Sequence, residues 1–354
     1  MRVKVAAAAG GNTELPGFGI IHGMGNTSPI QCGASDCAEM RKRLSLSTNW
    51  CNRRLEDGRA IADKALELGF EELELGFHTS LQQVEGFRAR LDAMPVGSVH
   101  AFCPVPLSAP QGYPELYQLA SADEESRKMA LLQVTRNIEF ASDMGADTVV
   151  LHAGRVGFDR IFDRIDSGSL KAALAEAKGD VKAEKYARML RRAMKRRVAR
   201  GAKALDAFKA TLSGLVPVLE KNGVTLALEN LPYLEGFPAE WELEEVLSAF
   251  PGAPVKGWFD TGHDRVRAMH GWLGEAKSPA LAESAWDSFA GMHLNDVVDY
   301  EDDHLAPGDG KVDFAALKDF ARNVRHIVFE PSQLVAEENL KAGVERIRAM
   351  WGLV

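Results

Sequence analysis

Residues 224–261 read VTLALENLPYLEGFPAEWELEEVLSAFPGAPVKGWFDT. Two short apolar runs, at 224–230 and 255–261, enclose a helix-like segment at 240–250. Apolar strands that alternate with helices of ten or more residues are typical of parallel sheets in α/β proteins. This stretch therefore predicts one strand–helix–strand unit.

The same alternation starts at Leu44 and continues almost to the C-terminus. We predict eight strands, at 44–50, 72–77, 98–103, 147–154, 224–230, 255–261, 289–296 and 326–331. The clearest helices are predicted at 57–68, 121–144, 240–250, 313–321 and 336–351. Eight strands, each followed by a helix or a long connection, predict an α/β fold of the (β/α)8 TIM barrel type. A doubly wound open sheet shows the same alternation and is the competing architecture.

The predicted barrel occupies residues 44–354 as a single unit, with two additions. Residues 1–43 show no sustained period and predict an irregular N-terminal arm. The segment at about 168–222 predicts an extended helical insertion between the fourth and fifth strands. Within it, residues 181–210 hold 11 Lys and Arg but two acidic residues. We interpret these charges as the solvated face of a long helix, with a phosphate or nucleic-acid surface as the alternative.

Composition argues against nucleic-acid-coating, membrane-spanning and disulfide-rich proteins. The 354 residues include 42 Lys and Arg against 50 Asp and Glu, a formal charge of −8, which is unfavourable for coating nucleic acid. The apolar run at 5–9 is too short for a signal peptide or a membrane span. Four cysteines, Cys32, Cys37, Cys51 and Cys103, are too sparse for a disulfide scaffold. We therefore expect a cytoplasmic protein without a membrane segment.

Acidic and imidazole side chains end the last four predicted strands: Glu229, Asp260, His293 and Glu330. Groups at the C-terminal ends of barrel strands converge on the barrel mouth. Three carboxylates held that close repel one another unless a cation neutralises them. A mixed carboxylate and imidazole set suits Mn²⁺, Co²⁺, Mg²⁺ or Zn²⁺. We predict one divalent metal ion bound by these four residues, and no organic cofactor.

Two glutamates at one metal also predict a reaction. Glu229 and Glu330 can remove a proton α to the carbonyl of a bound ketose or aldose and return it, while the metal stabilises the ene-diolate. The predicted function is a divalent-metal-dependent isomerase or epimerase of a sugar or sugar derivative. A lyase or dehydratase on a keto-sugar or inosose is the alternative, since elimination starts with the same proton abstraction. A non-catalytic binding barrel is a third hypothesis, and it predicts an incomplete metal set.

Five further residues are candidates at the same mouth. His263, His152 and His100 are predicted to bind substrate, and His263 is also placed to bind a second ion. Asp302 and His304 lie beside a Gly-rich turn after the seventh strand and are predicted to bind a second metal or to form a lid. Each of the five also has an ordinary interpretation as a structural core or loop residue.

The segments LALEN, WFDTGHD, MHLND, DDHLAPGDGKVDF and HIVFEP resemble the xylose-isomerase-like barrel superfamily, and within it the sugar phosphate isomerase/epimerase group. The resemblance extends from Leu44 to the C-terminus. In the ketose epimerases of that group, Glu, Asp, His and Glu from strands five to eight bind one divalent ion. The resemblance therefore implies this role for the four residues named above, an acid/base role for the two glutamates, and substrate contact for His263.

The same superfamily contains abasic-site nucleases of the endonuclease IV type, which bind three zinc ions. The resemblance places their additional ligands on His100, His152, His263, Asp302 and His304. This nuclease is the second alternative function, and the basic segment at 181–210 favours it.

Three features of the sequence argue against the nuclease. They are the net negative charge, a loop after strand seven that is usual among the sugar isomerases, and the position of His100 early in its run, VHAFCP. We therefore expect a small-molecule carbohydrate substrate, no nucleic-acid or membrane partner, and a homo-oligomer.

Overall fold

The computed structural model describes residues 42–157, 165–273, 279 and 281–353. The predicted arm at 1–43 lies almost wholly outside the described residues, and so do Cys32 and Cys37. Cys51 and Cys103 are buried free thiols. Within the described ranges, no helix is long and apolar enough to cross a membrane.

Eight parallel strands close into a barrel, which confirms the predicted (β/α)8 fold. Each strand pairs with its neighbours in the chain, and the first pairs with the last, so the sheet has no open edge. The strands are β1 (Leu44–Ser47), β2 (Glu72–Leu75), β3 (Val96–His100), β4 (Thr148–Leu151), β5 (Thr225–Glu229), β6 (Val255–Asp260), β7 (Phe289–Leu294) and β8 (His326–Phe329).

Helices connect the strands, and most of them bury their apolar faces in the main core around the barrel. They are α1 (Gly58–Glu67), α2 (Leu81–Arg88), α3 (Glu124–Asp143), α4 (Ser167–Glu176), α5 (Glu184–Asn222), α6 (Glu240–Ala249), α7 (Thr261–Met269), α8 (Lys318–Asn323) and α9 (Glu337–Trp351). Short 3-10 helices occur at Thr48–Trp50, Glu283–Ser288 and Phe314–Leu317. All five helices predicted at the clearest segments are present.

A small apolar cluster fills one side of the barrel interior. Trp258 packs there with four smaller residues, Val150, Ala227, Ala290 and Val328. The neighbouring strand passes close to the indole ring, since a Cβ atom at Gly291 would lie 2.4 Å from it. Glycine at this position therefore lets β7 pack against Trp258.

The insertion between β4 and β5 is helical, as predicted for residues 168–222. α5 is 39 residues long, and its C-terminal half packs into the main core through Phe208, Leu212 and Leu215. Its N-terminal half packs instead on α4 and Trp272 in a separate apolar cluster. α5 ends at Gly223, whose φ of 65° suits a glycine cap. The insertion thus packs into two separate apolar clusters.

Most cations of the basic segment at 181–210 lie on the exposed face of α5. Arg197 is an exception, because it is completely buried. Its guanidinium donates to Glu242 at 2.7 Å and to the carbonyls of Leu234 and Gly236 at 3.1 and 2.7 Å. A buried charge is tolerated when it is paired and fully hydrogen-bonded. Arg197 therefore links α5 to the loop after β5 through hydrogen bonds.

A polar group closes the opposite end of the barrel, where the strands begin. His326 is the first residue of β8; its Nε2 lies 2.8 Å from Asp147 Oδ1, and its Nδ1 lies 3.6 Å from Glu72 Oε2. Burial alone lowers the pKa of His326, but the hydrogen bond to Asp147 and the nearby negative charge of Glu72 raise it above its usual value. The charged imidazolium therefore stabilises the folded barrel.

The variant His326→Gln is expected to lower the free energy of unfolding by about 2 kcal/mol at pH 5.5. A group with a raised folded-state pKa stabilises fully below its unfolded pKa, and this contribution is lost as pH rises through the folded value. The difference between wild type and variant should therefore shrink toward pH 9.5. Urea unfolding of both proteins at a series of pH values measures this difference in the free energy of unfolding. A difference that is constant or grows with pH contradicts this role.

Candidate functional site

Four side chains meet where the strands end, at the mouth of the barrel. Glu229, Asp260, His293 and Glu330 are buried, and each brings one ligand atom to within 4.8 Å of the others. Glu229 and Asp260 are the last residues of β5 and β6, His293 lies next to the end of β7, and Glu330 follows β8. The structure thus brings together the four residues for which a metal site is predicted.

Two further groups adjoin these four residues. His100 and His152 meet Glu229 through its Oε2, at 3.2 and 3.1 Å from their Nε2 atoms. The other group consists of His263, Asp302 and His304, with both histidine Nε2 atoms 3.2–3.3 Å from Asp302 Oδ2. All nine candidate residues therefore lie in three groups, and Glu229 belongs to two of them.

The five histidines share one arrangement. Each directs one ring nitrogen toward a carboxylate of its group, and the other lies within hydrogen-bond distance of a separate acceptor in all but His152, whose second nitrogen faces Glu115 at a longer distance. The second contacts are His100 Nδ1 to Ala101 O (3.0 Å), His152 Nδ1 to Glu115 Oε1 (3.6 Å), His263 Nδ1 to Asn230 O (2.7 Å), His293 Nε2 to Glu74 Oε1 (3.0 Å) and His304 Nδ1 to Glu330 O (2.8 Å). Metal-binding histidines have this kind of outer acceptor, which fixes the tautomer and the ring orientation. The residues present therefore fit divalent metal ions.

Burial and mutual charge set the protonation of the central group. Burial raises the pKa of Glu229, but the positive charges of His293 and His152 lower it well below its usual value. The pKa of Asp260 is raised, by burial first and also by the negative charge of Glu229. Although burial lowers the pKa of His293, the charges of the surrounding carboxylates raise it well above the usual value. The cluster therefore favours positive charge at its centre, as a cation site must.

Two buried glutamates next to the site are not found by the sequence analysis. Glu74 lies on β2, is fully buried, and accepts from Ser98 Oγ at 2.8 Å and from His293. The signal for Glu74 is the alternation ELEL at 72–75, which places charged side chains at inward-facing positions of a buried strand. Glu115 lies in an irregular loop and has no comparable signal in the sequence.

The predicted position of His100, which spoke against the nuclease, is wrong. His100 is the last residue of β3, not an early one, and its side chain reaches Glu229. The apolar run continues past the strand because Ala101, Phe102 and Cys103 are buried in the following loop. Hydrophobicity alone therefore places the end of this strand three residues too far toward the C-terminus. His100 occupies the strand end that a ligand requires.

The loop that carries Asp302 and His304 is held by Asp296. This buried carboxylate accepts four backbone N–H bonds of 2.9 Å each, which come from Val297, Gly308, Gly310 and Val312. A Cβ atom at position 310 would lie 2.4 Å from Asp296 Oδ1, so the sequence needs glycine there. Asp296 thereby closes residues 297–312 into a compact loop over the mouth.

The variant Asp296→Ala is expected to lower the free energy of unfolding by about 3–5 kcal/mol, because it leaves buried N–H groups without an acceptor. Limited proteolysis should then cut within 297–312. The matched control is Asp313→Ala, which removes the side-chain cap of the 3-10 helix at Phe314–Leu317 and should cost about 1 kcal/mol. Equal effects of the two variants would contradict the role given to Asp296.

Solved structures of similar fold include proteins named as sugar epimerases. The chain is similar to 3-keto-D-glucoside 4-epimerase from E. coli, with 16% identity and a TM-score of 0.60 over 87% of this chain and 100% of that one. It is also similar to a D-psicose 3-epimerase, with 13% identity and a TM-score of 0.60 over 88% and 99% of the two chains. A xylose isomerase domain protein from Salmonella typhimurium gives 14% identity, 88% and 97% coverage and a TM-score of 0.56.

At these identities the likeness shows the fold alone. No curated protein sequence matches the chain. The family model described as xylose isomerase-like TIM barrel, however, matches residues 62–350, which is most of the chain. The chain therefore belongs to the xylose isomerase-like TIM barrel family.

Proposed function

We propose that this chain is a divalent-metal-dependent isomerase or epimerase that acts on a sugar or a sugar derivative. The observation that carries the proposal is the meeting of Glu229 and Glu330 with Asp260 and His293 in one buried group at the barrel mouth. The similar folds of a keto-glucoside epimerase and a D-psicose epimerase support it. A lyase acting on the same class of substrate remains the alternative reaction.

In this proposal, Glu229, Asp260, His293 and Glu330 hold the ion. A divalent cation bound there supplies positive charge to substrate oxygens as negative charge develops on them. Asp260 is itself held in place, because Asn295 donates to its Oδ2 at 2.7 Å and His263 N donates to its Oδ1 at 2.7 Å. The metal-ligand role of Asp260 therefore rests on a carboxylate with a fixed orientation.

The two glutamates form the proposed acid/base pair, but their surroundings differ. Both oxygens of Glu229 contact histidines: Oε2 contacts His100 and His152, and Oε1 contacts His293. Glu330 is less crowded, with Asn49 Nδ2 3.3 Å from Oε1 and His293 Nδ1 3.3 Å from Oε2. We therefore assign the larger share of proton transfer to Glu330, and to Glu229 the larger share of metal binding.

The experiment for this proposal is α-proton exchange. The metal-loaded protein is incubated in D₂O with a panel of ketoses, aldoses and keto-sugar derivatives, and deuterium at the carbon next to the carbonyl is followed by NMR. Exchange together with a product of unchanged molecular formula is expected for an isomerase or epimerase, and a product that has lost water identifies the lyase. Absence of exchange across the panel by fully metal-loaded protein contradicts the proposal.

A second candidate is an abasic-site nuclease of the endonuclease IV type with three zinc ions. The specific observation in its favour is the presence of two additional ligand groups, one of His100, His152 and Glu229 and one of His263, Asp302 and His304. The position of His100 at its strand end also favours it. Three tightly bound zinc ions per chain and cleavage of DNA at an abasic site would support this candidate, and one ion without cleavage would reject it.

A further inference from the structure

Arg155 lies at the barrel mouth, three residues beyond His152. Its backbone belongs to a two-stranded antiparallel ribbon, in which Gly154 pairs with Phe237 and Arg155 with Gly236. This ribbon joins the loop after β4 to the loop after β5, both of which follow strand C-termini. The side chain of Arg155 therefore starts from a fixed point next to the metal-ligand groups.

Two contacts hold the guanidinium of Arg155. Its Nε donates to Glu115 Oε2 at 2.5 Å, and Glu115 is buried. Its Cζ lies 3.6 Å from the ring centroid of Tyr233, which places the guanidinium over the aromatic face. The other oxygen of Glu115 lies 3.6 Å from His152 Nδ1, so Arg155 is linked to a candidate metal ligand through one carboxylate.

The outer edge of this guanidinium meets no partner in the part of the chain that the structure describes. Among the described residues, no acceptor lies within hydrogen-bond distance of Nη1 or Nη2, and the side chain is 33% exposed. Arginine presents these two nitrogens as a planar fork that matches a carboxylate or a phosphate. Because Glu115 and Tyr233 already fix the side chain, little conformational entropy is lost when a ligand binds.

We propose that Arg155 binds an oxyanion carried by the substrate, either a phosphate or a carboxylate, and thereby selects anionic sugars over neutral ones. This inference rests on the proposed function, since it concerns the substrate of the same mouth. A fork-like, charge-assisted contact favours an anionic ligand over its neutral analogue by about 10- to 100-fold. Arg155 is thus a specificity-determining residue, and the metal-ligand groups act on a different part of the substrate.

The test compares two matched pairs of sugars with the full-length, Mn²⁺-loaded protein. Calorimetry gives the Kd of D-fructose 6-phosphate against D-fructose, and of D-glucuronate against D-glucose. The metal content of every sample is measured alongside. We expect the wild type to bind the anionic member of at least one pair about 10-fold or more tightly. The pair that shows the preference tells whether the oxyanion is a phosphate or a carboxylate.

Three variants complete the test. Arg155→Met is expected to abolish the preference while metal content and affinity for the neutral sugar stay within about twofold. Arg155→Lys keeps the charge without the planar fork and should retain an intermediate preference. Arg53→Met is the matched control, since Arg53 is an exposed cation after β1 that contacts His78. It should keep the full preference.

Four results overturn the inference. They are no anionic preference in the wild type, an unchanged preference in Arg155→Met, loss of the preference in Arg53→Met, and loss of metal in Arg155→Met. The last would show that Arg155 acts through Glu115 on the metal site. An Arg155-dependent preference without any α-proton exchange would reject the proposed reaction and keep the oxyanion site.

Discussion

Glu229→Gln is expected to lower turnover by about 10³-fold or more and to weaken metal binding by more than about 100-fold. Glu229 is completely buried, and within the described ranges it belongs to two of the three ligand groups. Glutamine keeps the size of the side chain but removes the charge, and its amide places N–H donors opposite His100 and His152. The variant therefore disturbs both groups at once.

The measurement is divalent-ion affinity by titration, together with steady-state kinetics on the substrate found by proton exchange. Glu235→Gln is the matched control: Glu235 is also buried, lies six residues further along, and accepts from Ser167 N at 2.7 Å, away from the three groups. It should keep its metal. Wild-type metal affinity in Glu229→Gln would remove Glu229 from the site.

Glu330→Gln is expected to lower turnover by about 10²- to 10⁴-fold while the ion at the four-residue group stays bound. The remaining ligands there, Glu229, Asp260 and His293, are unchanged by this substitution. If Glu330 moves the proton, α-proton exchange in D₂O should fall by the same factor as turnover. The two glutamate variants therefore differ in their metal content.

Ser332→Ala on the same loop is the control for Glu330→Gln. The Ser332 hydroxyl accepts only from the backbone N–H of Leu334, at 3.3 Å, among the described residues. This variant should keep both metal and exchange. If Glu330→Gln exchanged the α-proton at the wild-type rate, Glu330 would have no part in proton transfer.

The sequence allowed the eight strands to be predicted because each is a short apolar run bounded by a change of pattern. The apolar run stops at Glu229 in β5 and at Asp260 in β6. The pattern therefore indicates both the strand and the candidate metal ligand at its C-terminal end. β3 was misplaced because the buried loop residues Ala101–Cys103 are as apolar as the strand itself. Hydrophobicity indicates burial, and by this criterion a buried loop cannot be distinguished from the strand that precedes it.

All nine candidate residues could be named from the sequence: seven of them lie near a predicted strand end or in the Gly-rich loop, His263 follows Asp260 by three residues, and His100 lies within the third predicted strand, although early in its run. Their roles stay proposals. The supporting contacts of Glu74 and Glu115 could not be predicted, because they join residues far apart in the chain; the ELEL alternation indicates only that Glu74 faces inward. Glu74, for example, meets His293 across 219 positions. Single-sequence patterns carry no information on such pairings.

The number of ions and the oligomeric state also stay predictions. The sequence analysis predicts one ion, whereas the described residues contain three groups able to hold one. A homo-oligomer is expected from the added helical segment at 168–222 alone. Size-exclusion chromatography with light scattering measures the oligomeric state, and a monomer at micromolar concentration would contradict the expected homo-oligomer.

The central claim is that Glu229, Asp260, His293 and Glu330 hold a divalent ion. Elemental analysis of the purified protein, with and without added Mn²⁺ and Zn²⁺, tests it most directly when Asp260→Ala and His293→Ala are measured beside the wild type. The account predicts about one ion per chain at this group, lost in both variants, and a total of three would favour the nuclease. Wild-type protein without bound metal, or full occupancy in both variants, would contradict it.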